Sequence, residues 1–236
     1  MEGTLPIENT GQVRWYKRPT PGHTYMVSLD PSMGTGGDYA AIQVFELPTF
    51  DQIAEWRHNE TPMNQQVRVL QGITKHINDT IIEKDSGSTP QIFYSMENNT
   101  IGEAALMRVM DIGEENIEGM FLSEPIRKGH RRKFRRGFNT TAKFKIDACT
   151  KFKELVENNK MQINSKLLIT ELKDFVAIGM SFKAKPGQHD DLVSSCLLMT
   201  RMMKVLADFD PKIFERWTDR TSEWTAPMPI FANLYG

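Results

Sequence analysis

The residues of this sequence that packing explains least are acids standing at the ends of apolar segments. Asp30 closes a run containing Tyr25, Met26, Val27 and Leu29, and the Pro31, Gly34, Gly36 and Gly37 that follow forbid its continuation. Glu97 closes Gln-Ile-Phe-Tyr-Ser-Met at 91–96 in the same way and is followed by Asn98 and Asn99. Asp190 and Asp191 open a long periodic segment, and Asp38 ends the glycine-rich stretch. Carboxylates gathered at element tips suit magnesium, a hard cation that takes one or two carboxylates and completes its shell with water and phosphate oxygens. Two such ions about 4 Å apart would activate a water on one side of a phosphodiester and stabilise the leaving oxygen on the other. That chemistry needs no histidine or cysteine nucleophile.

Each acid also has an ordinary reading. Asp is favoured in turns for its own backbone hydrogen bonds, and three glycines within four positions could cradle a phosphate on their amides. Helix capping explains one member of the Asp190/Asp191 pair. A second acid beside it, facing like charges at two strand tips, would repel them without a cation between. His189, just before the pair, reads as a partner to an acid or a phosphate, since imidazole suits magnesium poorly.

The elements that must position these acids are legible in outline. Apolar runs at 25–29, 39–47 and 52–57 predict a three-stranded antiparallel meander. A helix follows over 63–84, with Val67, Leu70, Ile73, Ile77 and Ile81 on one stripe and Thr61-Pro62 as its start signal. A strand at 91–96, a helix over 101–110 and a short strand at 118–122 form a strand, helix, strand unit that predicts parallel pairing. Further on, the pattern gives a helix over 140–158, a brief strand at 161–163, a hairpin at 175–185 bending at Gly179, and a helix over 192–207. Leu192, Cys196, Met199, Met203 and Leu206 make the core stripe of that last helix. The fold class is α/β, a mixed sheet with a meander followed by parallel strands and flanked by helices. Residues 1–22 read as an irregular linker or arm, 23–209 as the domain, and 210–236 as a tail packing on it or extending from it.

At 236 residues and 39% hydrophobic content the chain supports a large core. No segment approaches the run of about 20 apolar residues a membrane span needs, and the start lacks a signal-peptide core, so the expectation is a cytoplasmic, non-secreted protein. Cys149 and Cys196 are too far apart for a zinc motif. The net charge of −1 conceals an internal basic block. Arg127, Lys128, Arg131, Arg132, Lys133, Arg135, Arg136, Lys143 and Lys145 lie within 127–145 with no acid among them, leaving a net −10 elsewhere. Such a block, flanked by apolar and helical sequence, points to nucleic acid.

Taken together, Asp-x-x-x-Gly-x-Gly-Gly-Asp-Tyr at 30–39, Glu-Asn-Asn at 97–99 and Gly-Gln-His-Asp-Asp-Leu-Val at 187–193 resemble the nuclease half of the large terminase subunit of tailed bacteriophages, in particular those of large myovirus-type phages. The resemblance spans about 25–207. It implies a ribonuclease H-like fold and a magnesium-dependent endonuclease, with manganese as substitute and two ions, that cuts concatemeric DNA with little sequence specificity during genome packaging. By the same resemblance Asp30, Glu97 and Asp191 are catalytic metal ligands, Asp190 and Asp38 are supporting acids, and His189 lies behind them. Arg127, Lys128, Arg131, Arg132, Lys133, Arg135, Arg136, Lys183 and Lys185 would then hold double-stranded DNA. The implied partners are the terminase ATPase domain, the small terminase subunit and the portal protein, in the cytoplasm of an infected bacterium. Gly-x-x-x-x-Gly-Lys-Ser/Thr does not occur in this sequence, so the expectation is a nuclease domain separate from the ATPase motor. The hairpin near Gly179, immediately before the acids, is a candidate gate. Two other classes stay open on the residues alone: an ATP-binding domain of the actin and sugar-kinase type, and a non-catalytic module that clamps DNA or docks the motor. Replacing the cations within 131–136 by glutamate is expected to weaken DNA binding most at low salt and to flatten the slope of log affinity against log salt. An unchanged slope in a salt-titrated binding assay would remove the basic block from the DNA contact.

Overall fold

The computed structural model describes residues 2–125, 136–179 and 181–209. Among these, seven strands form one sheet in the order β1-β2-β5-β4-β3-β6-β7. The expected meander is present as β3 (Thr24–Asp30), β4 (Ala40–Leu47) and β5 (Asp51–His58), all antiparallel. Strands β6 (Gln91–Met96) and β7 (Met120–Phe121) extend it in parallel beside β3. Helix α1 (Met63–Lys84) links β5 to β6, and α2 (Thr100–Ile112) links β6 to β7. The chain continues through α3 (Ala142–Glu157), α4 (Lys166–Asp174), a separate hairpin of β8 (Phe175–Ile178) and β9 (Ser181–Ala184), and α5 (Asp191–Phe209).

Side-chain alternation assigns the two faces of the sheet. Tyr25, Val27 and Leu29 of β3 join Ile42, Val44, Tyr94 and Met96 in a core closed by α1 and α2. Met26, Phe45 and Phe93 face the other way, into a core closed by α3, α4 and α5. Ser28 lies on that second face, where it meets Ser195 of α5. The Ser28 hydroxyl donates to the Ser195 carbonyl at 2.9 Å, the Ser195 hydroxyl donates to the Ser28 carbonyl at 3.0 Å, and the two hydroxyls are 2.8 Å apart. Serine is small enough to let helix and strand approach this closely, and the reciprocal bonds satisfy both buried hydroxyls.

This pair sets the height of the helix on the strand. Two residues along β3 advance about 6–7 Å, and four residues back along α5 retreat about 6 Å. Asp30 and Asp191 are therefore carried to the same level from Ser28 and Ser195.

Several expectations need correction. Residues 1–22 are not irregular throughout: β1 (Glu8–Thr10) and β2 (Val13–Trp15) pair with each other, and β2 pairs with the edge of β5, burying Trp15. Three-residue strands carry barely one cycle of alternation, too little to separate from a loop. Helix α1 is capped by Pro62 with no side-chain bond, and Thr61 turns its hydroxyl to His58 Nδ1 at 2.8 Å. The brief strand at 161–163 reduces to a single bridge between Gln162 and Asp51. Helix α4, absent from the sequence reading, starts at Ser165, whose hydroxyl accepts from the Leu168 amide at 3.0 Å. Its first turn is fastened to the sheet by Gln52 Oε1, which accepts from the amides of Asn164 and Ser165 at 2.9 and 2.8 Å. The tail, 210–236, lies outside the described residues. Neither cysteine is in a disulfide, and among the described residues no helix is long and apolar enough to cross a membrane.

Replacing Ser28 with alanine removes a buried donor and leaves the Ser195 hydroxyl one partner short. The expected loss is about 1–3 kcal/mol in urea unfolding, and a change within error would mean that the serine pair does not hold the helix.

Candidate functional site

The acids meet at one end of the sheet. Asp30 is the last residue of β3, on the same face as Ser28, and Leu29 pairs in parallel register with Met96. Glu97, the next residue, thus stands across from Asp30, and its amide donates to the Leu29 carbonyl at 3.1 Å. Burial, followed by the charge and hydrogen bond of Glu97 and then the charges of Asp191 and Asp190, pushes Asp30 well above the usual carboxylate range.

The chain around Glu97 is tightly seated. Asn99 caps α2, its Oδ1 accepting from the Gly102 amide at 2.8 Å, and its Nδ2 donates to Glu97 Oε2 at 3.1 Å. A side chain at Gly102 would place Cβ 1.8 Å from the Glu97 carbonyl oxygen, so only glycine lets the helix start this close to the acid. Asn98 is buried, with its amide donating to the Phe138 carbonyl and its Nδ2 to the Arg136 carbonyl, both at 2.7 Å.

Asp191 is the first residue of α5, and its Oδ2 is buried without a hydrogen-bond partner. His189 Nδ1 lies 3.6 Å from that oxygen, beyond hydrogen-bond reach. Burial pushes the Asp191 carboxyl up to about 6, with Asp190 and Asp38 adding to the rise and His189 and Arg57 opposing it. Asp190 is turned differently. Its carbonyl accepts the first helical bond, from Ser194 at 2.7 Å, while its Oδ2 accepts from the Ala184 amide of β9 at 3.2 Å and lies 3.9 Å from Lys145 Nζ. It ties the β8–β9 hairpin to the helix start.

Asp38 is exposed and reaches the site only through its charge on Asp191. The glycine-rich loop is occupied internally: the Gly36 amide donates to the Asn59 carbonyl at 2.9 Å, and the Gly34 amide to Ser32 Oγ at 3.3 Å. Gln66 of α1 holds the loop's first turn, bonding both the amide and the carbonyl of Ser32. These two glycine amides are thus engaged within the fold and not turned to a phosphate.

Of the basic residues, 127–135 lie outside the described residues, so Arg127, Lys128, Arg131, Arg132, Lys133 and Arg135 are not placed. The chain enters and leaves that segment beside Glu97: the Glu124 amide donates to the Gly137 carbonyl at 3.2 Å, and Phe138 bridges Glu97. Arg136 pairs with Glu114 and covers the Phe121 ring. Lys183 and Lys185 are exposed on β9 and just beyond it, Lys185 lying 3.0 Å from Asp174.

Two residues at the site, Arg57 and Glu171, escaped the sequence reading. Arg57, near the end of β5, donates to Glu171 of α4 at 2.6 Å, and Glu171 accepts from the Val193 amide at 3.1 Å. Burial pushes Glu171 up to about 7 against the pull of both donors. Tyr39 lies under the Arg57 guanidinium, 4.1 Å from ring centroid to Cζ, and meets His189 edge-on at 4.8 Å. Tyr39 closes the motif at 30–39, whereas the sequence offered only a lone arginine near a strand end for the Arg57–Glu171 pair.

The donor set is carboxylate oxygen, and the orphaned, buried Asp191 Oδ2 fits a hard cation. Among the described residues, however, no three His, Cys, Asp or Glu side chains are arranged to hold one ion between them. The acids stand close enough to repel one another without forming a finished cage.

A profile of the family described as Terminase RNaseH-like domain matches residues 27–202. Among solved structures, the large terminase nuclease of thermophilic phage G20c with bound magnesium superposes with a TM-score of 0.61 at 18% identity, over 84% of this chain and 92% of that one. The nuclease domain of Thermus phage P74-26 gives 0.58 at 18% identity, over 83% and 88%. The terminase nuclease domain of human cytomegalovirus, manganese-soaked with an inhibitor bound, gives 0.51 at 12% identity, over 82% and 86%. The fold is thus the ribonuclease H-like one expected.

The proton affinities give a signed consequence. A carboxyl whose proton is held more tightly in the folded chain than in the unfolded one stabilises the fold below about pH 4. Asp191 loses that contribution as pH rises through about 6. Without added metal, Asp191→Asn is therefore expected to raise stability at pH 8 by on the order of 2 kcal/mol and to change little at pH 4. Urea midpoints that shift equally at both pH values would contradict the repulsion.

Proposed function

The chain belongs to the Terminase RNaseH-like domain family, and from that premise we propose that it is a metal-dependent endodeoxyribonuclease cutting concatemeric viral DNA, with little sequence specificity, during genome packaging. The observation that carries this reading is the meeting of Asp30, Glu97 and Asp191 at one sheet end, with Asp191 Oδ2 buried and unpartnered. Asp30, Glu97 and Asp191 would hold magnesium, or manganese in its place, as two ions, with Asp190 and Asp38 in support. Since among the described residues no three such side chains are set around one point, each ion would take one or two of these carboxylates and fill its shell with water and phosphate oxygens. Ions so bound supply an activated water and a counter-charge for the leaving oxygen.

The remaining work falls to the protein's own groups. Asp30, whose carboxyl holds its proton well above the usual carboxylate range, would release it on taking up a cation. Asp190 keeps the hairpin against α5 through the Ala184 amide, so it supports the site's wall more than its centre. His189 orients the approach to Asp191 by its edge contact with Tyr39. Lys183 and Lys185, with the basic segment from Arg127 to Arg136 that opens and closes beside Glu97, would contact phosphates and set register without reading sequence. The natural setting is the cytoplasm of an infected bacterium, with the terminase ATPase domain, small subunit and portal as partners.

Metal stabilisation of the transition state is worth several kcal/mol, so Asp30→Asn and Asp191→Asn are each expected to slow plasmid cleavage in magnesium or manganese by on the order of a hundredfold or more. Undiminished cutting by either variant would sink the assignment.

A further inference from the structure

Arg57 is a cation at the edge of an acid-rich site, and it is not paired with any of the site's acids. Its guanidinium donates to Glu171 Oε1 at 2.6 Å, with the two side chains 18% and 5% exposed. Glu171 Oε2 is fixed in turn by the Val193 amide at 3.1 Å, in the first turn of α5. One face of the guanidinium rests on Tyr39, and Tyr39 is buttressed by His189. The end of the glycine loop, β5, α4 and the approach to α5 thus converge on one arginine.

The same group leads to Asp191: Glu171 is bonded to Val193, two residues along α5, and His189, edge-on to the Tyr39 that carries Arg57, has its Nδ1 3.6 Å from Asp191 Oδ2, an oxygen with no hydrogen-bond partner. That arrangement calls for a physical reason. A guanidinium free to choose forms short, charge-assisted bonds with a nearby carboxylate, and a buried carboxylate oxygen left alone is costly. Arg57 paired to Asp191 would satisfy both groups and would also fill the position a cation needs. What prevents it is Glu171, a carboxylate held rigidly by a backbone donor and anchored on a helix whose first turn is bonded to Gln52.

We propose that Glu171 is a positioning residue that retains Arg57 away from Asp191, leaving Asp191 Oδ2 open to a divalent cation. The inference rests on the metal-binding reading of the site given above and adds to it a group that touches neither metal nor DNA. A plain structural role for the same ion pair, joining α4 to β5 and capping α5, makes a different prediction, because it assigns Arg57 no capacity to compete with metal.

The discriminating variant is E171Q, which keeps the size of the side chain and an acceptor for the Val193 amide but removes the charge that retains Arg57. R57M/E171Q removes the competitor as well, and replacing both partners of a buried ion pair is tolerated far better than removing one. The measurement is calorimetric titration of manganese into the whole chain at pH 8 without DNA, alongside thermal unfolding of each variant. E171Q is expected to bind manganese about tenfold more weakly or worse, since an opposite charge at 4–6 Å changes a carboxylate's proton affinity by at least that factor. R57M/E171Q is expected to return to wild-type affinity or exceed it. Wild-type affinity in E171Q, or a double variant as weak as E171Q, overturns the proposal. If E171Q does not fold, the double variant against wild type decides: equal or tighter binding supports the retention of Arg57, and weaker binding overturns it. Absence of manganese binding by the wild-type chain would bring down the metal reading itself, whereas wild-type binding with an indifferent E171Q brings down this inference alone.

Discussion

Like-charge repulsion among Asp30, Glu97, Asp191 and Asp190 is the constraint on which the rest of the structure depends. Burial, joined by the charges of Glu97, Asp191 and Asp190, raises the proton affinity of Asp30, and burial with the charges of Asp190 and Asp38 raises that of Asp191. Left to themselves, such groups would separate into water. They are held together because each belongs to a different element of one packed unit: Asp30 to the central antiparallel strand, Glu97 to its parallel neighbour, and the aspartate pair to a helix crossing above. The opposing free energy comes from two apolar cores, one on each face of the sheet. The serine pair between β3 and α5 converts that general cohesion into a specific height, so that the acids arrive level.

The polar residues immediately behind the acids divide the work of holding the loops. Gln66 fixes the turn after Asp30, Asn98 and Asn99 fix the turn after Glu97, and Asp190 fastens the β8–β9 hairpin to the helix that carries Asp191. Each uses a side chain to satisfy backbone groups where regular pairing stops, which is the usual requirement at strand and helix ends. Glycine at 102 serves the same end by omission, since a methyl group there would strike the Glu97 carbonyl. The backbone around the acids is thus closed by side-chain bonds wherever regular pairing stops.

Charge is distributed accordingly. The acids and their buried partners Arg57 and Glu171 occupy the sheet end, and the basic segment departs and returns beside Glu97. Lys183 and Lys185 are exposed on the β8–β9 hairpin, which Asp190 ties to α5.

By itself the sequence determined the meander, the parallel strand after it, and the placement of Asp30 and Glu97 at strand tips, because apolar runs cut off by proline, glycine or asparagine are local signals. It also determined α1 and α5, whose apolar stripes run for several turns. The three-residue strands of the N-terminal hairpin and the nine-residue α4 were not legible, because segments that short carry too little periodicity and owe their form to the edge of β5 and to Gln52. Tertiary structure alone decided how Asp190 and Asp191 divide: adjacent in sequence, they turn to different neighbours because a helix start sends successive side chains in different directions. It alone brought Arg57 to Glu171 across 114 positions of sequence. Local pattern records where a residue sits along its own element, whereas the pairing of Ser28 with Ser195, and the level meeting of acids that follows from it, exists once the two faces have packed.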